Sequence, residues 1–285
     1  MEQKKEKWEE VYSPKELKIV QEIEKNILIT LLDVCEKIDV EPIMYGGTLI
    51  GCIRHKGFVP WDDDIDVAFV RKDYDKFIKL APTLLPDDFS LQTPYTEKNT
   101  PYFYAKLRRK GCTCIEFYNH KANISKGVYI DIYPIDNIPD DDRLYKKQHK
   151  IIQILMSCWY IRQSFYLPYG RNGWKRFVLL AIRLCLRIIP RCIFRYTIYK
   201  MLTKFNHIET KRKNVINYPK VTNWYEPLYP LINAKFEGID VKIPNDWDNH
   251  LRRRYGDYMS MPPPEERLGH KPYQLDVKKF YKECL

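Results

Sequence analysis

No stretch of this 285-residue chain approaches the roughly 18 to 20 apolar residues needed to cross a bilayer. The longest uncharged run in its middle, IIQILMSCWYI (151–161), is too short. The opening MEQKKEKWEE carries charge where a secretory signal would carry an apolar segment, so none is expected. Eight cysteines are present, yet none forms a C-x-x-C pair, which argues against structural zinc and for reduced, buried thiols in a cytoplasmic protein. Internal repeats are lacking, as are RNP-type and helix-turn-helix signals. Acidic residues nearly vanish between Arg143 and Lys220, where 18 Lys and Arg stand against Glu209 alone. That segment carries +17 and leaves −6 on the rest of a chain whose total is +11. A basic excess so confined implies a local partner rather than a uniformly basic surface.

What is present is a globular composition, 45% hydrophobic and 30% charged, enough for one large domain or two small ones. SPKELKIVQEIEKNILITLLDVCEKIDV opens with Ser13, Pro14 and Glu16 in a capping-box pattern. Leu17, Val20, Ile23, Ile27, Leu31, Val34 and Ile38 then recur at helical spacing, predicting a long amphipathic helix. IMY (43–45) reads as a short buried strand, TLIGCIRH as a helix directly after Gly46-Gly47, and DIDVAFV as an alternating strand. KDYDKFIKLA (72–81) reads as a charged amphipathic helix. PYFYAKLRRKGCTCIEFY (101–118) has the look of a hairpin turning near Lys110-Gly111, and GVYIDIYPI (127–135) of another strand. Strands interspersed with helices predict a mixed α/β (α+β) sheet domain. The pattern becomes mainly helical from about 140 to 213, and the Pro-, Trp- and Tyr-rich stretch 221–285 reads as irregular with short helices.

In WDDDIDVAFV a strand would put Asp62, Asp64 and Asp66 on one face and Asp63, Ile65, Val67 and Phe69 on the other. Three carboxylates on one face suit a divalent cation such as Mg²⁺ or Mn²⁺, which would relieve their repulsion. A solvated acidic turn ahead of a strand has the same D-x-D pattern. Upstream, Gly46, Gly47 and Thr48 stand where a strand gives way to a helix, so the backbone there could approach a phosphate. Arg54 and Lys56 (His55 less so) could add positive charge. Asp131, between Ile130 and Ile132, is a carboxylate inside an apolar strand and needs a partner.

Gly-Gly, then D-h-D-h on the next strand, then an acid on a later strand, is similar to the nucleotidyltransferase superfamily with its polymerase β-like core. More closely, YGGTLIGCIRHKGFVPWDDDIDVAF, GVYIDIYPID and FEGIDVKIPNDWDNHLRRRYGDYMSMPP, in that order, resemble the LicD/fukutin family. The likeness covers roughly 40–140 and 235–265. It implies a nucleotidyltransferase-type sheet with flanking helices that moves a phosphorylated small alcohol, phosphocholine foremost, from a CDP-linked donor to a sugar hydroxyl and releases CMP. Two Mg²⁺ or Mn²⁺ ions would be held by Asp64 and Asp66 as core ligands and Asp131 as the third, with Asp131 also a candidate base, Asp62 a fourth carboxylate acting as ligand or base, and Asp63 structural, capping or pairing with a nearby Arg or Lys. Gly46, Gly47, Thr48, Arg54 and Lys56 would face the donor. Glycerol- or ribitol-phosphate transfer and true nucleotidyl transfer to a small molecule are the alternatives. A CDP-choline donor would call for an aromatic cage; Trp224, Tyr225, Trp247, Tyr255 and Tyr258 are candidates, and RRRYGDYM (252–259) could close over the donor. The acceptor implied is a cell-envelope glycan (teichoic acid, lipopolysaccharide or capsule) or its lipid-linked precursor, in the bacterial cytoplasm.

Within WKRFVLLAIRLCLRIIPRCIFRYTIYK (174–200), Arg183, Arg187, Arg191 and Arg195 recur every fourth residue among large apolar side chains, and Pro190 is expected to kink or split the helix. Such a basic amphipathic helix suits an anionic membrane surface, placing the protein peripherally on the inner face. The stripe is too apolar to track nucleic acid. Three regions are therefore expected: a catalytic core with its N-terminal helix (1–140), a basic helical region (141–220) and a C-terminal segment completing the site (221–285).

Overall fold

The computed structural model describes residues 12–116, 120, 122–163, 173–215, 224–225, 228–267, 269 and 272–280. Its strands are β1 (Ile43–Met44), β2 (Asp66–Val70), β3 (Phe89–Gln92), β4 (Ala105–Arg109), β5 (Thr113–Glu116), β6 (Tyr129–Ile138), β7 (Arg212–Asn214), β8 (Trp224–Tyr225), β9 (Ile232–Phe236), β10 (Ile239–Ile243) and β11 (Pro272–Asp276). Its helices are α1 (Pro14–Lys37), α2 (Gly46–Ile50), α3 (Arg71–Leu80), α4 (Asp142–Gln163), α5 (Trp174–Ile188), α6 (Arg191–Leu202) and α7 (Trp247–Tyr255).

The capping box at Ser13 forms in full. Ser13 Oγ accepts from the Glu16 amide (3.2 Å) and the Glu16 carboxylate accepts from the Ser13 amide (3.0 Å), so two otherwise unsatisfied donors at the start of α1 are bonded. The apolar stripe of α1, including Ile19, Val20, Ile23, Ile27, Leu28 and Leu31, is buried and packs across β4 and β6.

The main sheet runs β3-β4-β6-β2-β1-β10-β9, with β7 on the far end of β6 and β8 on β7. It is mixed: β2 lies parallel to β6 and β1 to β10, while β3–β4, β4–β6, β1–β2 and β9–β10 are antiparallel. The central strands are buried on both faces, as Val67, Ala68 and Phe69 of β2 and Ile130 and Ile132 of β6 attest. Arg71 at the start of α3 grips Asp136 near the end of β6 with two parallel bonds (2.8 and 2.5 Å), so the last aspartate of GVYIDIYPID braces the fold.

Two sequence expectations fail. The hairpin over 101–118 does not form, because both hydrogen-bonding edges of β4 are taken, by β3 and β6; β5 turns away and pairs with β11 in a separate two-stranded sheet. The stretch after 221 is less irregular than its composition implies. Ile239, Val241 and Ile243 alternate with Asp240 and Lys242, and Glu237-Gly238, both with positive φ, make the tight turn that joins β9 to β10. The resulting hairpin extends the main sheet at β1.

Between 142 and 202 the helical expectation holds. Helices α4 and α6 close a second core around Ile138, Ile152, Trp159, Phe194, Ile198 and Leu202. Pro190 splits the basic stretch into α5 and α6, so the four arginines become two pairs on separate helices. Arg195 bonds the Pro94 carbonyl (3.0 Å) and Arg191 reaches Asn99 (3.5 Å), while Arg187 is exposed and Arg183 half-buried. The outer surface of α5 is apolar instead: Trp174, Phe177 and Ile188 are 70%, 72% and 81% exposed. Cysteine burial is mixed as well, since Cys35, Cys52 and Cys114 are buried but Cys185 and Cys192 are exposed. Cys284 lies outside the described residues. Among the described residues no helix is long and apolar enough to cross a membrane.

Candidate active site

The parallel register of β2 on β6 sets Asp66 directly opposite Asp131. Ladder pairing begins at Asp66, so Asp62 and Asp64 lie on the extended approach to the strand rather than within it. Two bonds hold that approach: the Asp131 amide donates to the Ile65 carbonyl (2.9 Å) and the Gln21 side chain of α1 donates to the Asp62 carbonyl (2.8 Å). Alternation survives without the ladder. Asp62, Asp64 and Asp66 are half-buried, whereas Asp63, Ile65 and Val67 are buried. All four predicted carboxylates, Asp62, Asp64, Asp66 and Asp131, line one cavity of about 570 Å³ together with Gly47. Asp63 lines it too and accepts a hydrogen bond from the Tyr12 hydroxyl.

The two glycines serve the carboxylates at close range. Gly46 has φ +60°, and a Cβ there would collide with Asp66 Oδ2; a Cβ on Gly47 would lie 2.8 Å from Asp62 Oδ2. Thr48 Oγ1 accepts from the Asp66 amide (2.8 Å). Helix α2 begins at Gly46 itself and continues as a π-helical turn over 51–55. Neither Arg54 nor Lys56 lines the cavity. Arg54 is spent on the Tyr258 and Ser260 carbonyls (2.6 and 3.2 Å), and Lys56 is an exposed residue in the left-handed region.

The cavity's positive groups come from elsewhere. Arg254 of α7 donates to the Tyr45 hydroxyl (2.7 Å) and lines the cavity beside Tyr255, while its neighbours Arg252 and Arg253 pair with Asp248 and Asp246. Lys106 of β4, only 1% exposed, donates to Asp131 Oδ1 (2.7 Å), pairs with Glu116 (3.4 Å) and lies 3.6 Å from the centre of the Tyr129 ring. Asp131 Oδ2 accepts from the Tyr133 hydroxyl (3.0 Å). Burial raises the Asp131 carboxyl and Lys106 pulls it back, with a net upward shift. Burial acts on Glu116 in the same sense, but there Lys106 and Arg108 together outweigh it and hold the carboxyl at about 2.

Glu24 is a further carboxylate in the cavity. It is 2% exposed, and its pKa is pushed far up, by burial first and then by Asp63, Asp64, Asp62 and Asp131. Sequence reasoning passed over Glu24, Lys106 and Glu116, although two left a trace. Glu24 stands at i+4 from Val20 and i−4 from Leu28, on the apolar stripe of α1. Tyr102, Tyr104, Lys106 and Arg108 alternate with core residues. Of the aromatic candidates, Tyr255 lines the cavity, the Tyr258 hydroxyl donates to Asp248 (2.5 Å) and Trp247 packs on the core. The side chains of Trp224 and Tyr225 lie outside those described.

The donor set along 62–66 consists of hard carboxylate oxygens facing one cavity, the chemistry that Mg²⁺ or Mn²⁺ favours. Asp131 is differently placed, since both its oxygens already accept hydrogen bonds. Among the described residues no three side chains already stand as a metal-coordinating group.

Residues 39–156 match the family described as LicD/FKTN/FKRP, nucleotidyltransferase domain. Over 250 residues the chain is 26% identical to the lipopolysaccharide cholinephosphotransferase LicD of Haemophilus influenzae, covering 86% of this chain and 92% of that protein. An uncharacterized protein of Rickettsia prowazekii is 24% identical over 221 residues, 72% of this chain and 70% of its own length. Residues 39–156, which span the glycine pair, the acidic approach to β2, Lys106 and Asp131, therefore match the LicD-family domain, and this match together with the similarity along most of the chain supports a LicD-family phosphotransferase.

Proposed function

We propose that this enzyme transfers a phosphorylated small alcohol, phosphocholine foremost, from a CDP-linked donor to a sugar hydroxyl of a cell-envelope glycan. The observation that carries the reading is the side-by-side placing of Asp66 and Asp131 in a cavity that also holds Asp62, Asp64, Lys106 and Arg254. The resemblance to a lipopolysaccharide cholinephosphotransferase along nearly its whole length supplies the substrate class.

In this reading the acceptor oxygen attacks the phosphorus that bears the alcohol, the bridge to CMP breaks, and CMP leaves with the bond's electron pair. The acceptor's proton goes to Asp131, whose raised carboxyl suits a base held in place by Lys106 and Tyr133. Arg254, which lines the cavity, offsets charge on the diphosphate. Mg²⁺ or Mn²⁺, bound by Asp62, Asp64 and Asp66, would neutralise the non-bridging oxygens. Gly46, Gly47 and Thr48 set the positions of those carboxylates. The core of 1–140 would thus be nucleotidyltransferase-like, with 221–285 lending α7 to the donor side.

Incubation with CDP-choline, CDP-glycerol, CDP-ribitol or NTPs, and analysis for CMP and for the modified acceptor, tests this. CMP and a phosphocholine-bearing glycan are expected. They should vanish with EDTA, return with Mg²⁺ or Mn²⁺, and fall roughly 10³-fold in Asp66→Ala. An NMP-bearing acceptor would instead establish nucleotidyl transfer, and full activity in Asp66→Ala would remove the catalytic assignment.

The exposed apolar surface of α5, set in the basic segment, supports peripheral attachment to an anionic bilayer where lipid-linked glycans are assembled. Flotation with phosphatidylglycerol-containing liposomes should recover the wild-type protein and lose it in Trp174→Ser/Phe177→Ser/Ile188→Ser. Equal recovery of the two proteins would sink the membrane role of α5.

A further inference from the structure

The acidic approach to β2 is tied downstream by the ladder that begins at Asp66, and at the Asp62 carbonyl by Gln21. Further upstream, residues 56–65 join no strand. There Glu237, 179 positions beyond Phe58 at the turn from β9 to β10, brackets Gly57 from both sides. The Glu237 amide donates to the Lys56 carbonyl (2.9 Å), and Glu237 Oε1 accepts from the Phe58 amide (3.1 Å). A Cβ on the buried Gly57 would collide with that carboxylate, so the glycine leaves the space that Glu237 fills. Phe58 also meets Phe236 edge-on, with ring centres 4.9 Å apart.

Lys56 and Glu237, bonded to each other, are both in the left-handed region, at φ +59° and +50°. Residues with side chains hold that conformation at a cost and keep it where their surroundings over-determine it. A turn that only reversed the chain would favour asparagine, aspartate or glycine at 237; the bond to Phe58 accounts for a glutamate. The hairpin is itself anchored, since β10 pairs with β1 and β1 with β2, so Glu237 and Asp66 hang from one sheet. Glu237 does not line the catalytic cavity. We propose that Glu237 is a positioning residue: by clamping Lys56 and Phe58 it fixes the path of the chain into Asp62 and Asp64, and so where their carboxylates stand. Its effect on turnover rests on the phosphotransfer reading, whereas its hold on the loop does not. Without the clamp the segment before Asp62 loosens, while Lys106, Asp131 and Arg254 keep their own contacts.

Full-length Glu237→Ala and Glu237→Gln test the assignment, because a glutamine oxygen still accepts from Phe58 and an alanine offers nothing. In Glu237→Ala, amide hydrogen exchange at Phe58 should quicken about tenfold or more, with Val67 and Ile130 in the core strands unchanged. Mn²⁺ affinity, read from the electron paramagnetic resonance of the free ion, should weaken about tenfold. Turnover for CMP release from CDP-choline should fall about 10- to 100-fold, with KM within about twofold. Glu237→Gln should stay within about threefold of wild type throughout. Unchanged exchange at Phe58 in Glu237→Ala would overturn the proposal, as would a loosened Phe58 with wild-type Mn²⁺ affinity and turnover, or a glutamine variant as impaired as the alanine one. Gly57→Ala gives a second route, since its methyl group must push the Glu237 carboxylate aside. It should reproduce the losses in the wild-type background and add little in Glu237→Ala, and additive losses would count against the clamp. A wild type that releases no CMP from any CDP-linked donor, or binds no Mn²⁺, would fail that part of the phosphotransfer reading instead, and exchange at Phe58 would still decide whether Glu237 holds the loop.

Discussion

Gly46→Ala is expected to lose about a hundredfold or more in CMP release from CDP-choline while costing only about 1–2 kcal/mol of stability. The two effects share one cause. At φ +60° an alanine is strained, which a thermal or denaturant melt would register as a modest loss. The new methyl group would also occupy the space of Asp66 Oδ2, and the carboxylate must swing away to admit it. Asp66 is fixed by its pairing in β2 and by Thr48 at its amide, so the side chain rather than the backbone has to give. A displacement near 1 Å at a reacting centre is enough for a loss of this size. Gly47→Ala, whose φ is ordinary and whose methyl would meet Asp62 Oδ2 at 2.8 Å, should be milder on both counts. Wild-type turnover in Gly46→Ala would show that the close approach of Gly46 to Asp66 has no part in the reaction.

Lys106→Met is expected to destabilise the protein by about 3–5 kcal/mol, the largest single effect on folding predicted here. The substitution keeps the stem and removes the ammonium that Asp131 and Glu116 share. Asp131 is then left buried and Glu116 half-buried, and their remaining partners, Tyr133 and Arg108 among them, do not replace the lost charge. Glu116 should show it directly. Held at about 2 in the folded protein, its carboxyl lies below its unfolded value, so its contribution is present above pH 4.5 and is lost as the pH falls toward 2. In Lys106→Met that acid-sensitive window should shrink and move upward. Pairing the change with Asp131→Asn should recover part of the loss, because neutralising the orphaned acid removes one of the two uncompensated charges. Urea melts of the wild type, both single variants and the double variant measure the coupling; additive losses would mean that Lys106 and Asp131 stabilise the fold independently.

The difference between these two residues mirrors what could be read from the chain. Gly46 announced itself by its place in a glycine pair between a strand and a helix, though the reason for it, room for Asp66, depends on the neighbouring strand. Lys106 looked like one cation among many in KLRRK. Only its burial between β6, β5 and a wall of tyrosines makes it the counter-charge of Asp131, and burial is a property of the assembled sheet. Arg54 and Lys56 erred the other way. Nearness in sequence to the acidic stretch suggested donor contacts, but the π-helical turn and the left-handed Lys56 carry both away from the cavity. Arg254, some 200 positions on, lines it instead.

By itself the sequence determined the elements whose causes are local: the capped α1, the alternation that aims Asp62, Asp64 and Asp66 to one side, the split at Pro190, and the family likeness carried by contiguous motifs. Tertiary structure alone decided that β4 pairs with β6 and not β5, that β10 extends the sheet at β1, and that Glu24, Lys106, Glu116 and Arg254 join the carboxylates in one cavity. Local chemistry fixes a residue's backbone and its face. Which distant charges meet depends on strand edges claimed once and on cavities closed by several elements together, and neither is written in any short stretch of the chain.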